Sequence, residues 1–160
     1  MSRSGARGAP SSRDDFDLRS FLPYRFSVVT NRISRALARR YSRAFGISIP
    51  EWRVLAVLGN FAPLSSNEIC GLTAMDKAKV SRAVTRLVSA GLLRRRVNPN
   101  DRRHIMLTLT KKGRTVYQAV VPIAVSFERT LAGALNREEK LALDGILRKL
   151  EAHALERGEG

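Results

Sequence analysis

The sequence predicts a mainly helical fold with one small β-hairpin, and three observations carry that prediction. Apolar residues recur at intervals of three and four through most of the 160 residues. One stretch, 93–109, changes to an alternating pattern around a turn-rich centre. Side chains able to cap a helix, each with an acid three positions later, precede several of the periodic stretches: Ser48 with Glu51, Ser65 with Glu68, Thr73 with Asp76 and Asn136 with Glu139.

Residues 1–17 mix Gly, Ser, Arg and Asp without periodicity and are expected to form a disordered tail. From Leu18 the pattern is helical, with Phe26, Val29, Ile33, Leu37, Tyr41 and Ala44 on one stripe and Gly46 as the stop. Ser48 and Pro50 open a second helix carrying Trp52, Leu55 and Leu58, which ends at the run Phe61-Ala62-Pro63-Leu64. Two helices follow in tandem. The first is short, holding Ile69 and Cys70; the second, capped from Thr73 and running to about Ala90, places Val80, Val84, Leu87 and Val88 inward before Gly91. A short helix, a tight turn and a longer basic helix have helix-turn-helix spacing. The alternating strands place Leu93, Arg95 and Val97 on one parity, and then Ile105, Leu107 and Leu109. Asn98-Pro99-Asn100-Asp101 supplies the turn, and Arg102, Arg103 and His104 lie at or beside its tip, so the hairpin reads as a wing. Thr110 caps a long helix with Val116, Val120, Ile123, Phe127 and Leu131 on its stripe, which Pro122 is expected to bend or loosen. Asn136 opens the last helix, with Leu143, Ile146, Leu147 and Leu150.

Charge narrows the function. The chain has 29 Lys and Arg against 14 Asp and Glu, a net +15. Twelve bases and two acids fall within 76–114, so two thirds of the excess lies on the basic helix and the hairpin. A second block, 20–44, holds six arginines and no acid, whereas 128–160 is nearly balanced. A polyanionic partner follows from this placement, and double-stranded DNA fits it, because a helix enters the major groove and a basic hairpin the minor groove. Lys77, Lys79, Ser81, Arg82, Thr85 and Arg86 form the polar side of the basic helix; Lys79, Arg82 and Arg86 share one face. Arginine is the strongest reader, since its fork bonds guanine O6 and N7 together, so Arg82 and Arg86 are the expected specificity residues. Arg95, Asp101, Arg102 and Arg103 are the hairpin's candidates. No nucleophile motif, phosphate loop or metal-ligand spacing is present, so neither an enzyme nor a cofactor is expected. No apolar run reaches the ~18 residues of a membrane span and no secretory leader is evident; with a single cysteine, Cys70, this leads to the expectation of a cytoplasmic protein without a membrane partner.

The run Asp101-Arg102-Arg103-His104-Ile105-Met106-Leu107-Thr108-Leu109-Thr110, continuing into Gly113, resembles the wing pattern D-x-R-x-x-x-L-x-L-T of the MarR family of winged helix-turn-helix transcription regulators. Gly91-Leu92-Leu93 followed by arginines matches the family's strand entry, Trp52 and Leu55 fit its second helix, and the resemblance covers about 22–155. It implies a winged helix-turn-helix reading head, 46–110, on a helical dimerisation platform, 18–45 and 111–155. It also implies a homodimer whose first, fifth and sixth helices interlock and present two recognition helices to a palindromic operator. In proteins of this kind the wing arginine matching Arg103 enters the minor groove, oriented by the aspartate matching Asp101.

The resemblance further implies a ligand-responsive regulator, repression being the expected sense, with a small-molecule effector bound between platform and reading head. Many relatives respond to aromatic acids and some to their coenzyme A thioesters. Tyr24, Arg25, Arg32 and Trp52 are the candidate effector residues, two aromatic walls and two cations suited to an anionic aromatic compound. Two alternatives stay open: a ligand-independent structural nucleic-acid-binding protein, and first-helix arginines that are solvated or contact DNA backbone. Cys70 is read as an apolar filler rather than a redox switch.

Overall fold

The computed structural model describes residues 16–97 and 105–158. Most of the expected tail, and the hairpin tip with Asp101, Arg102, Arg103 and His104, therefore lie outside the described residues. Within them the order is α1 (Leu22–Phe45), α2 (Ile49–Phe61), α3 (Ser66–Thr73), α4 (Lys77–Ser89), β1 (Leu93–Val97), β2 (Ile105–Leu109), α5 (Lys111–Ala132) and α6 (Arg137–Gly158).

Local chemistry sets the helix ends. α1 starts at Leu22 rather than Leu18, because Pro23 suits a first turn, which needs no N–H donor. The residues before it form a turn in which the Arg19 N–H donates to Asp17 Oδ1 at 3.0 Å. Gly46, at φ 64°, closes α1 and donates its N–H to the Ser42 carbonyl at 2.8 Å. Both expected capping boxes on α2 and α3 form: Glu51 Oε2 accepts the Ser48 N–H at 2.7 Å, and Glu68 Oε2 accepts the Ser65 N–H at 2.7 Å. Asn136 and Glu139 exchange similar bonds at the start of α6. The cap of α4 differs from expectation. Asp76, not Thr73, is the capping residue, its Oδ1 accepting the Lys79 N–H at 2.7 Å. Thr73 still belongs to α3, where its hydroxyl donates back to the Ile69 carbonyl at 2.6 Å and is engaged within its own helix.

The core joins α2, α3 and α4 to the hairpin base through Val54, Leu55, Leu58, Ile69, Val80, Val84, Leu87, Leu93 and Leu107, with Tyr41 of α1 and Val120 of α5 completing it. β1 and β2 pair antiparallel from Leu93↔Leu109 out to Val97↔Ile105. Leu64, in the link between α2 and α3, exchanges two backbone hydrogen bonds with Leu107, at 3.2 and 2.8 Å, which fixes the hairpin base to the helical body. Its outer half projects. The alternation expected to group Leu93, Arg95 and Val97 buries only Leu93 in β1, and Val97 and Ile105 are exposed, because among the described residues nothing packs over the far end of the ribbon.

At the other end of the hairpin, α5 grips the end of α4. Thr110 donates its N–H to the Leu92 carbonyl at 3.0 Å and its hydroxyl to the Gly91 carbonyl at 2.7 Å, while accepting the Gly113 N–H at 3.0 Å. Lys112 Nζ donates to the Ala90 carbonyl at 3.0 Å. α5 then runs through Pro122 without interruption. α6 makes at most glancing contact with the rest of the chain, and Leu141, Leu143, Ile146, Leu147, Leu150 and Leu155 are exposed along it.

Candidate nucleic-acid interface

α4 separates its side chains by chemistry. Val80, Ala83, Val84 and Leu87 are buried, and Lys77, Lys79, Ser81, Arg82, Thr85 and Arg86 are all exposed. The capping of Asp76 holds the N-terminal turn, whose side chains reach base edges when a recognition helix enters the major groove. Asp76 is itself tuned by that role: the Lys79 N–H bonded to its carboxylate lowers its pKa below 3.8, and the Lys79 ammonium, 3.6 Å away, acts in the same direction.

Beside α4 stands the hairpin. Arg94, Arg95 and Arg96 are exposed on β1, and Arg94 Nε donates to Thr108 Oγ1 of β2 at 3.0 Å, which ties one cation across the ribbon. The fold thus places the six polar residues of α4 next to β1, which carries Arg95; Asp101, Arg102 and Arg103 lie outside the described residues.

One feature of this surface escaped sequence reasoning. Glu51, 5% exposed, is the one charged residue buried among the described residues, and its Oε1 meets Arg86 Nε at 3.2 Å. Sequence spacing assigns Glu51 to the cap of α2 alone. Its second partner is 35 positions away on another helix, and only packing of α2 against α4 brings the two together.

The sequence model of the MarR family matches residues 45–104, the stretch from the end of α1 to the hairpin. The transcriptional regulator PecS of Dickeya dadantii is 30% identical over 147 residues, covering 89% of this chain and 88% of PecS. The chain belongs to the MarR family. The transcriptional repressor NicR of Pseudomonas putida is 28% identical over 132 residues, covering 76% of this chain and 84% of NicR. Among solved MarR-type structures, a mutant MarR from E. coli complexed with operator DNA superposes with a TM-score of 0.74 at 25% identity, covering 86% of this chain and 98% of that one. BpsR of Bordetella bronchiseptica, solved to explain regulation of its DNA binding by 6-hydroxynicotinic acid, gives a TM-score of 0.75 at 25% identity, covering 85% of this chain and 96% of that one.

In this MarR-family chain the candidate effector residues do not converge. Trp52 lies between two tyrosines, its ring centroid 5.8 Å from Tyr41 of α1 and 6.2 Å from Tyr117 of α5. Tyr24 is seventeen positions from Tyr41 on the same helix, roughly 25 Å at 1.5 Å per residue, and Arg25 stands beside it. Arg32 is nine positions away, roughly 13 Å. Tyr24, Arg25 and Arg32 are thus spread along α1, and Trp52 of α2 packs near the Tyr41 end of that helix. Sequence reasoning missed the residues that do meet Trp52. In the sequence Tyr41 is only one member of an apolar stripe, and no pattern singles out Tyr117. Burial pushes the Tyr41 phenol up to about 12, against the opposing pull of the Arg53 guanidinium. Arg53 donates to Ser34 Oγ at 3.2 Å, and Asn60 Nδ2 donates to the Tyr117 hydroxyl at 3.1 Å, so polar groups border the aromatic row.

Proposed function

We propose that this chain is a DNA-binding transcription regulator that acts as a homodimer on a palindromic operator, represses there, and is released by an anionic aromatic effector. The observation that carries the DNA reading is the exposed basic face of α4, capped at its N-terminus and flanked by the arginines of β1. The division into a reading head, 46–110, and a platform, 18–45 and 111–155, goes with it. In this reading Lys77, Lys79, Ser81, Arg82 and Thr85 face the major groove, Arg95 lies along the backbone, and Arg103, oriented by Asp101 and assisted by Arg102, enters the minor groove. The E. coli MarR complex with operator DNA supports the same use of the fold.

BpsR and its regulation by 6-hydroxynicotinic acid support the effector class. With Trp52 between Tyr41 and Tyr117, a ring is best received at that aromatic row, near Arg53. Tyr24, Arg25 and Arg32 then serve only an effector long enough to reach along α1, which favours the coenzyme A thioester of an aromatic acid over the free acid.

The test begins with selection of duplexes from a random pool by the full chain, followed by footprinting. Enrichment of a two-fold symmetric sequence is expected; enrichment of nothing, or equal binding to every duplex, overturns the regulator reading in favour of a structural nucleic-acid binder. Aromatic acids and their thioesters are then titrated into the complex. Trp52 is the sole tryptophan, so its emission reports directly on the aromatic row. Dissociation of DNA together with a change in that emission is expected, and a thioester that acts equally on Arg25→Ala and Arg32→Ala variants removes those arginines from the site.

A further inference from the structure

The Glu51–Arg86 pair lies at the edge of the basic face and joins a buried carboxylate of α2 to one of the exposed cations of α4. Glu51 is buried with both carboxylate oxygens engaged: Oε2 accepts the Ser48 N–H at 2.7 Å, and Oε1 forms an ion pair with Arg86, 3.2 Å from its Nε. The Arg86 side chain is nevertheless 77% exposed, so its charged end is held at one edge and open at the other. Its place on α4 matters as much. Arg86 sits in the last turn, nine positions from Lys77 and roughly 13 Å along the helix. A recognition helix reads bases chiefly with its N-terminal residues, which leaves its far end over the sugar-phosphate backbone. Two concavities flank the pair. One, of about 410 Å³, is lined by Phe45, Ile47 and Leu92 among others, and the second, of about 270 Å³, by Lys79 and Arg82, so solvent reaches the guanidinium from both sides while the carboxylate stays beneath it.

We propose that Glu51 is a positioning residue of the DNA interface: its buried carboxylate holds the Arg86 guanidinium by an ion pair on the Nε side and leaves the outer edge free for a phosphate, making Arg86 a docking contact rather than a base reader. The proposal rests on the reading of α4 as the DNA-binding helix. Its chemistry is that of a fixed fork. An arginine held on its Nε side by a carboxylate keeps the N–H groups of both Nη atoms for a phosphate, and gives up less side-chain freedom on meeting one than an unheld arginine.

The sign of one substitution separates this role from simple electrostatics. Glu51→Gln removes a negative charge close to DNA. If Glu51 only opposed the polyanion, every duplex would bind more tightly; if it positions Arg86, binding weakens. Glutamine keeps an oxygen for the Ser48 N–H, so the α2 cap is largely spared. Binding of the selected palindromic duplex and of a scrambled duplex of equal composition is measured for the unaltered protein, Glu51→Gln, Arg86→Ala and the double variant, over a range of salt. Arg86→Ala is expected to weaken both duplexes by a similar factor, about tenfold, and to reduce the salt slope by about one contact per chain. Glu51→Gln is expected to weaken both a few-fold, and to add nothing in the Arg86→Ala background. A loss confined to the palindromic duplex on Arg86→Ala, tighter binding by Glu51→Gln, or a Glu51→Gln effect that persists without Arg86 each overturns the proposal. Thermal unfolding without DNA tests the lock separately: Arg86→Ala leaves a buried carboxylate unpaired and lowers Tm, and adding Glu51→Gln recovers part of that loss. If this cycle couples but the unaltered protein binds no duplex, the DNA reading has failed and the positioning role fails with it. If duplexes bind but the cycle shows no coupling, the positioning role alone is overturned.

Discussion

At the scale of the residue, two positions turn local geometry into measurable stability. Gly113 sits where the first turn of α5 crosses the end of α4, and a Cβ placed there would lie 1.9 Å from the Leu92 carbonyl oxygen. The obstacle is backbone, which is itself bonded to Thr110 and cannot rotate aside. Gly113→Ala is therefore expected to destabilise by roughly 3 kcal/mol or more in denaturant unfolding. Gly71, in the short helix α3, is the control: a Cβ added there would meet nothing within 4 Å, and Gly71→Ala should stabilise by up to ~1 kcal/mol through helix propensity. Asp76 gives a pH dependence with a definite sign. Its pKa is lowered on folding by the Lys79 N–H, so its cap contributes fully above the ordinary carboxylate value of 3.8 and is lost as pH falls through that value towards the folded one. Replacement by asparagine, which caps without titrating, should flatten that part of the acid limb; an unchanged acid limb would place the linkage elsewhere.

At the scale of the element, α4 carries the specificity prediction. With Arg86 assigned to docking, Arg82 is the remaining arginine on the exposed face of α4, one turn nearer the N-terminus. Arg82→Ala should cost roughly 1–3 kcal/mol of discrimination between the selected duplex and random DNA, while Tm stays close to that of the unaltered protein because the side chain is exposed. Equal losses on both duplexes would make Arg82 a phosphate contact as well. The elements themselves were legible because each is determined locally. Ser48 with Glu51, Ser65 with Glu68, and Thr110 carry their helix starts in three or four residues, and the change from a helical to an alternating period marks β1 and β2. Errors arose where two local solutions competed or where the deciding contact was remote. Thr73 and Asp76 can both cap, and the choice depends on Thr73 being drawn into α3. Val97 alternates like a buried residue, but no layer among the described residues covers it. The Glu51–Arg86 pair and the Tyr41–Trp52–Tyr117 row each depend on helices packed from distant parts of the chain. Helical rise separates Tyr24 and Arg25 from the Tyr41 end of α1, where Trp52 packs, by roughly 25 Å, a spacing that a list of residue types does not reveal.

At the scale of the whole molecule, the unsatisfied feature is α6. Leu143, Ile146, Leu147 and Leu150 are spaced as one helical stripe, all are exposed, and the helix scarcely touches the rest of its chain. Phe21, Leu22, Tyr24, Phe26 and Val29 leave the start of α1 similarly uncovered. In proteins most helical stability comes from packing an apolar face, and this stripe on α6 lacks such packing among the described residues of its own chain. A second copy of the chain supplies equivalent surfaces on both sides of a two-fold axis. These side chains are about half exposed already, so burying the remainder of four from each copy is worth on the order of 6–12 kcal/mol, comparable with an association cost of roughly 4–15 kcal/mol, and the start of α1 has to contribute as well. The variant Ile146→Glu/Leu147→Glu tests this directly. Sedimentation should give about twice the 17.8 kDa chain mass for the unaltered protein and the single-chain mass for the variant. Because the stripe lies outside the core of α2, α3, α4 and the hairpin, near-native unfolding of that core should persist, with helical signal lost from α6. DNA binding should then separate the two levels of organisation. A duplex holding one half-site should bind the variant nearly as well as it binds the unaltered protein, whereas the palindromic duplex should lose the 10²–10⁴-fold advantage that linking two reading heads confers. An unaltered protein that already sediments as a single chain, or a variant that keeps the palindromic advantage, would move recognition of both half-sites to some other assembly and leave the α6 stripe for a different partner.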